Sequence, residues 1–479
     1  YEMSASLVGS EMCIRDSCYS KSRKHQKIRI LSFSMSLLMQ NIINSVNALN
    51  GSAYYGQVTA VQGLFIEVSG IRTRLSIGDR CNVLSTAGRK VPCELVSFKG
   101  DKLLLMPYGS LEGIGLGCRV EVENASPVIY PHPSWLGRII NAFGEAIDGK
   151  GPLLKGSKPY FIKASPPPAQ FRDRVCGKVD LGVRAVNTFL TICKGQRMGI
   201  FAGSGVGKST LMSMLAKHSN ADVSVIGLIG ERGREAKEFV EDTLGEEGLA
   251  KSVLVLATSD ESPLMRRQAA YVAMAVSEYF RDLNKDVLCM MDSITRFAMA
   301  QREISLSVGE PPASKGYTPS VFAELPRLLE RAGPGAGSGT ITGLFTVLVD
   351  GDDHNEPVAD AVRSILDGHI VLDRAIAERN RYPAINILRS VSRTMPDCNT
   401  DEENEIVSKA RRYIAAYEDM AELIRLGAYK KGSNKEVDEA IFYYPKIESF
   451  LTQKKNEKVT LAEGYMQLKE ILDTPYKAS

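Results

Sequence analysis

The sequence predicts an α/β protein: a parallel sheet carrying a phosphate-binding loop, flanked by an N-terminal β-barrel and a C-terminal helical domain. Three observations predict it. The octet Ala202-Gly203-Ser204-Gly205-Val206-Gly207-Lys208-Ser209 follows an apolar run (Met198, Gly199, Ile200, Phe201) and opens into a helical stretch, Thr210 to Lys217. Continuous apolar runs alternate with helical stretches over 170–400, the mark of a parallel sheet covered on both faces. The pattern changes on either side, to short alternating strands over 51–123 and to helical periodicity from about 401.

Strand, glycine loop and helix form the context of a P-loop. The residues Gly203, Ser204, Gly205, Val206, Gly207, Lys208, Ser209 and Thr210 would turn backbone N–H groups into one concavity at a positive helix N-terminus. Lys208 then reaches the β/γ-phosphates and the Ser209 hydroxyl ligates Mg²⁺. Ala202 stands where the motif has glycine, a mild departure ahead of the tight part of the loop. The bland alternative is a glycine turn that merely joins strand to helix. The flanking context favours a nucleoside triphosphate site.

The elements follow in order. Residues 1–50 form an N-terminal extension, of which 1–17 resemble translated adapter sequence. Basic residues then precede Ile30–Met39, a run broken by Ser32, Ser34 and Ser36 and without a convincing cleavage site, so a secretory signal is disfavoured. Leu37, Leu38, Ile42, Ile43 and Val46 fall near helical spacing, which predicts an amphipathic helix over 35–50 that packs on its own chain or docks a partner. Residues 51–123 are expected to form the barrel, with turns at Gly78-Asp79 and Gly100-Asp101. The sheet domain is expected over 124–400, with a loop or hinge at 146–169 and strands at 197–201, 223–229, 253–257, 287–291 and 344–349. The helical domain, 401–479, has helices over Glu405–Arg425 and Glu436–Leu451. Gly427 lies past the first, and a Thr460/Glu463 capping box opens a third.

A chain of 479 residues is long enough for about three domains. Its 44% hydrophobic and 24% charged content is that of a soluble globular protein. A net charge of +3 favours neither nucleic acid nor membrane surface. Nine cysteines are scattered without metal-ligand spacing, so reduced thiols are expected. No apolar run approaches the ~20 residues that span a bilayer.

Carboxylates at strand ends supply the remaining chemistry. Glu231, in Gly230-Glu231-Arg232 after the strand 223–229, is expected one strand from the P-loop strand, polarising the attacking water while Arg232 adds positive charge. A surface ion-pair cluster is the alternative. Asp292 ends the run 287–291 in the Walker-B manner and would orient Mg²⁺ or its waters.

With these strings in view, Asp180–Asn187, the P-loop, Gly230-Glu231-Arg232, Asp292–Arg296, Tyr317–Ser320 and Leu328–Arg331 resemble the rotary-ATPase catalytic-subunit superfamily. Gly309-Glu310-Pro311-Pro312 and Asn355–Asp360 resemble its type III export ATPases, above all the flagellar branch. The resemblance runs over about 52–475 and implies a RecA-like central domain, ATP and Mg²⁺ as ligands, and a homohexameric ring. It also implies a cytoplasmic enzyme, peripheral at the inner face of the membrane at the flagellar base. Its partners would be a stator-like regulatory protein, export-gate membrane proteins, and export chaperones and substrates.

Carried over residue by residue, Lys208 and Ser209 bind phosphate and Mg²⁺ and Glu231 is the catalytic carboxylate. Arg232 and Arg266 resemble phosphate-side arginines, Tyr382 the aromatic that stacks on adenine, and Arg393 the arginine that reaches a neighbour's nucleotide. A core tyrosine and a solvated arginine are the alternatives for the last two.

Four rivals share parts of this pattern. An injectisome export ATPase has the same chemistry, and a rotary ATP synthase subunit lacks the export-type strings. An RNA translocase needs a basic, aromatic surface, and the barrel segment has few aromatics after Tyr54, Tyr55 and Phe65. A nucleotide-binding subunit with dead chemistry is disfavoured by Lys208 and Glu231 together.

Overall fold

The computed structural model describes Met39 and residues 54–123, 127–168, 170, 172–349 and 356–476. The helix expected over 35–50 lies, Met39 aside, outside these residues. Six strands, β1 (Tyr55–Gln62), β2 (Phe65–Ser69), β3 (Arg80–Leu84), β4 (Lys90–Lys99), β5 (Lys102–Pro107) and β6 (Arg119–Val122), close into a barrel in the order β1-β2-β5-β4-β3-β6. Period-two alternation puts Val58, Ile66, Cys81, Val83, Leu105 and Val120 inside it.

Two small pairs lie between the barrel and the P-loop strand: β7 (Val128–Ile129) with β9 (Tyr160–Phe161), and β10 (Cys176–Val179) with β11 (Ile192–Lys194). The main sheet contains β8 (Arg138–Ile140), β12 (Arg197–Ala202), β13 (Val223–Glu231), β14 (Ser252–Thr258), β15 (Asp286–Asp292), β16 (Gly333–Pro334), β17 (Thr340–Leu348), β18 (Gly368–Leu372) and β19 (Ile385–Ser392). Its order is β19-β18-β12-β17-β15-β13-β14-β8, with β16 paired onto β17. From β18 to β8 every neighbouring pair is parallel. All nine residues of β13 are buried, as expected of a strand covered on both faces.

This order corrects one expectation. The strands β12 and β13 are consecutive along that stretch of chain, but β17 and β15 lie between them in the sheet. Crossover connections in a parallel sheet place strands by handedness and packing rather than by chain order, and single-strand pattern carries no information about that.

Helices Pro263–Asp282 and Ile294–Ser307 cover one face of the sheet, each opened by a serine that caps its N-terminus (Ser262, Ser293). Helix Pro263–Asp282 also meets the barrel. Glu94 of β4 is buried against Arg267 (2.6 Å), Lys163 (2.9 Å) and the Tyr108 hydroxyl (2.7 Å). Burial alone would raise this carboxyl, but the Arg267 and Lys163 charges and the Tyr108 hydroxyl hold it down at about 2.

Three helices, Asp401–Arg425, Lys435–Leu451 and Leu461–Asp473, follow the sheet. Thr460 and Glu463 form the expected capping box, and Thr400 with Glu403 forms another. Gly427 adopts φ +68° just past the first helix.

The expectation of reduced thiols is also corrected. Cys193 of β11 and Cys398 are bonded, with Cα atoms 6.7 Å apart across 205 residues of sequence. Cys398 ends the short helix Met395–Cys398, which packs on β10 and β11. Spacing along the chain gives no sign of a pairing made by tertiary packing.

Arg331 is wholly buried, donating to both oxygens of Glu278 (2.8 and 2.7 Å) and to the Ile162 carbonyl (2.7 Å). Arg331→Ala leaves the Glu278 charge buried without its partner, so urea denaturation should report a loss of about 3–5 kcal/mol. A loss below about 1 kcal/mol would mean that water reaches the carboxylate.

Candidate nucleotide-binding and hydrolysis site

The P-loop leaves β12 and ends in the helix Lys208–His218. Gly205 and Gly207 hold φ of +77° and +91°, which side-chain-bearing residues rarely adopt. Gly203 and Val206 are buried and anchor the turn, while Ser204 and Gly205 are exposed. Arg374 braces the loop from outside by donating to the Ser204 carbonyl at 3.3 Å. Ser209 and Thr210, in the first helical turn, face solvent.

Because the strands run parallel, their carboxyl ends share one edge, and Lys208 meets there the acids that end β13 and β15. Its Nζ lies 2.5 Å from Asp292 Oδ1 and 3.6 Å from Glu231 Oε1. Glu231 and Asp292 are 9% and 5% exposed. Burial pushes the Glu231 carboxyl up to about 7; Lys208 opposes the rise and the Asp292 charge adds to it. Glu231 Oε1 is a buried atom without a hydrogen-bond partner. A buried acceptor in that state is costly unless something donates to it.

The other expected residues are placed as follows. Arg232 is exposed and pairs with Glu235 at 3.2 Å. Arg266 pairs with Glu303 at 2.7 Å and donates to the Glu261 carbonyl. Neither has a hydrogen bond or ion pair to Lys208, Glu231 or Asp292 among the described residues. Arg393 is exposed just after β19, its backbone N–H bonded to the Asp367 carbonyl. Tyr382 comes to the P-loop: a Cβ on Gly207 would lie 3.4 Å from its ring.

Between Tyr382 and the P-loop helix lies a cavity of about 380 Å³, lined by Gly207, Thr210, Leu211, Met214, Pro383 and Gln453 among others. Its mixture of apolar wall, one aromatic face and a few polar groups suits a purine. Sequence reasoning missed Gln453, whose N–H donates to the Tyr382 carbonyl at 2.8 Å. The Gln453 side chain accepts from Arg184 N–H and donates to the carbonyls of Gly182 and Glu457. Arg381, paired with Glu448 at 3.2 Å and donating to Pro383 and Ile385 carbonyls, holds the Tyr382 segment from its other side. Also missed were Arg296, packed under Gly230 beside Glu231, and Thr346, whose hydroxyl donates to Asp292 Oδ1 at 2.7 Å.

Among the described residues no group of three or more His, Cys, Asp or Glu forms a metal cage. One carboxylate and one hydroxyl near a phosphate loop fit an ion that keeps its waters and takes substrate phosphate oxygens.

Residues 182–392 match the ATP synthase alpha/beta family, nucleotide-binding domain, and 399–470 match the T3SS EscN ATPase C-terminal domain. The flagellum-specific ATP synthase of Caulobacter vibrioides is 56% identical over 444 residues, covering 91% of this chain and 100% of that protein. The chain belongs to the flagellum-specific ATP synthase family. The Bacillus subtilis member is 49% identical over 431 residues, 90% of this chain and 98% of its own. Among solved structures, the assembled ATPase EscN of the enteropathogenic E. coli type III secretion system aligns with a TM-score of 0.81 at 38% identity, over 87% of this chain and 100% of that one. The same ATPase in complex with its central stalk EscO gives 0.80. With this membership the chain is an ATP-hydrolysing enzyme of the type III export class, which agrees with the resemblance carried by its motifs.

Stacking on an aromatic contributes about 1–3 kcal/mol per base. Tyr382→Ala should therefore weaken binding of a fluorescent ATP analogue by roughly 5- to 150-fold. An unchanged affinity would return Tyr382 to an ordinary exposed tyrosine.

Proposed function

We propose that this chain hydrolyses MgATP as a homohexamer in the cytoplasm, at the inner face of the membrane, to energise flagellar type III protein export. The observation that carries the chemistry is the buried Oε1 of Glu231, which has no hydrogen bond and lies 3.6 Å from the Lys208 ammonium, beside Asp292. Lys208 turns to the β/γ-phosphates when ATP enters, and Gly203 to Thr210 cradle them. Ser209 and Asp292 would hold Mg²⁺, which supplies charge neutralisation on the phosphates. Glu231 Oε1 then accepts the hydrogen bond of the attacking water, and Arg232 and Arg266 add positive charge at the phosphate side.

Tyr382 stacks on the adenine. Arg393 acts on the nucleotide of the neighbouring subunit, a role that its exposed position after β19 supports. The assembled EscN structures support the ring, and the EscN–EscO complex supports a central stalk partner. A stator-like regulatory protein, export-gate membrane proteins, and export chaperones with their substrates complete the proposed partners; nucleic acid is not among them. Among the described residues no helix is long and apolar enough to cross a membrane. The injectisome reading has the same chemistry and a structural relative in EscN; the names of the Caulobacter vibrioides and Bacillus subtilis relatives favour the flagellar one.

Glu231→Gln keeps the shape and removes the base, so nucleotide should still bind while turnover falls about 10²–10⁴-fold. Turnover at the parental rate would remove Glu231 from the base role. With its carboxyl near 7, Glu231 is mostly protonated below that pH and ionised above it. The parental kcat/KM should therefore rise about tenfold per pH unit up to about 7 and level off above it. The residual activity of Glu231→Gln should lack that limb.

An arginine supplied in trans contributes ~10³–10⁵ in kcat in well-studied cases. Specific activity should rise with protein concentration as rings form, and mixing Arg393→Ala with Glu231→Gln should restore part of it. Concentration-independent activity, or no rescue in mixtures that demonstrably co-assemble, would refute the trans arginine.

A further inference from the structure

Thr346 stands out in β17. Its neighbours Leu344, Phe345 and Val347 are core residues, and Thr346 itself is 0% exposed. A hydroxyl in such a strand is destabilising unless it finds a partner. The partner it has is Asp292 Oδ1, at 2.7 Å; the Met291 carbonyl lies farther away, at 3.4 Å. The register explains the contact: β15 and β17 pair in parallel up to Met291 with Phe345, so Asp292 and Thr346 are the next residues on adjacent strands. On its other side β17 pairs with β12, where Thr346 faces Ile200, two residues before the end of the P-loop strand.

Lys208 donates to the same Oδ1 at 2.5 Å. Two donors therefore fix one oxygen of the carboxylate. If Lys208 turns to the phosphates when nucleotide enters, as the proposed function requires, Asp292 loses one of them. Thr346 cannot leave, because it is built into the sheet.

We propose that Thr346 is a positioning residue for the metal step: its hydroxyl holds Asp292 by Oδ1 after Lys208 has moved, so that the carboxylate stays aimed at Mg²⁺ or its waters. The inference rests on the reading of Asp292 as the Mg²⁺-side carboxylate. Groups that orient a metal-side carboxylate by hydrogen bonding typically change metal affinity or activity 10–100-fold when removed.

The test is a Mg²⁺ titration of the affinity for a fluorescent ATP analogue, read at equilibrium on the full chain, with the affinity in EDTA as reference. Thr346→Val keeps the branched shape and removes the hydroxyl, while Thr346→Ser keeps the hydroxyl. The Mg²⁺ concentration at half-effect should rise about tenfold or more in Thr346→Val. Its EDTA affinity should stay at the parental value, and Thr346→Ser should remain within about twofold of the parent. A parental Mg²⁺ half-point in Thr346→Val would overturn the proposal. So would an EDTA affinity that falls as far as the Mg²⁺-dependent one, because that marks a distorted P-loop. If Thr346→Val does not fold, Thr346→Ala is read by the same criterion. A parental chain whose nucleotide affinity and turnover ignore Mg²⁺ would instead refute the proposed function itself.

Discussion

Parallel pairing of the central strands is the constraint on which the rest of this structure depends. Strands that run the same way end on the same edge, and from β18 to β8 every neighbouring pair does so. The P-loop leaves one carboxyl end, Asp292 closes another and Glu231 a third. Lys208 spans the intervening strands and meets both acids. Two carboxylates and an ammonium in a mostly buried place would be expensive separately; together they offset one another, and the residual imbalance appears in Glu231. Its raised carboxyl, and an Oε1 that is buried without a hydrogen bond, are the signs of a group arranged for a ligand rather than for stability.

The side proposed for adenine is built differently. No strand end supplies it. Tyr382 lies in the turn before β19, and its backbone is tied to Gln453 in the loop between the last two helices. Arg381 is tied to Glu448 on the helix Lys435–Leu451. The cavity beside Tyr382 is therefore walled by the P-loop helix on one side and by the C-terminal helical segment on the other. A displacement of the C-terminal helices would reshape the proposed purine pocket without touching Lys208, Glu231 or Asp292.

At the other end, Glu94 and Arg267 join barrel to sheet through the helix Pro263–Asp282. The neighbouring Arg266, expected to face phosphate, is engaged with Glu303. Arg232 and Arg393, exposed here, have their proposed roles at phosphate and across a subunit boundary, where an isolated chain supplies no partner.

By itself the sequence determined the kinds of element and the chemistry of single positions. Glycines at 205 and 207 permit backbone angles that other residues rarely adopt. Apolar runs without alternation demand a sheet covered on both faces, and Thr460 with Glu463 demands a helix start. These are local physical requirements, legible within a few residues. The tertiary structure alone decided what crosses long separations: β17 and β15 inserted between β12 and β13, Cys193 bonded to Cys398, Gln453 against Tyr382 and Thr346 against Asp292. Thr346 did leave a trace, one hydroxyl in the apolar run 344–349, but its partner follows only from strand order and register. Those are set by packing of the whole sheet, a collective quantity that no short window of sequence contains.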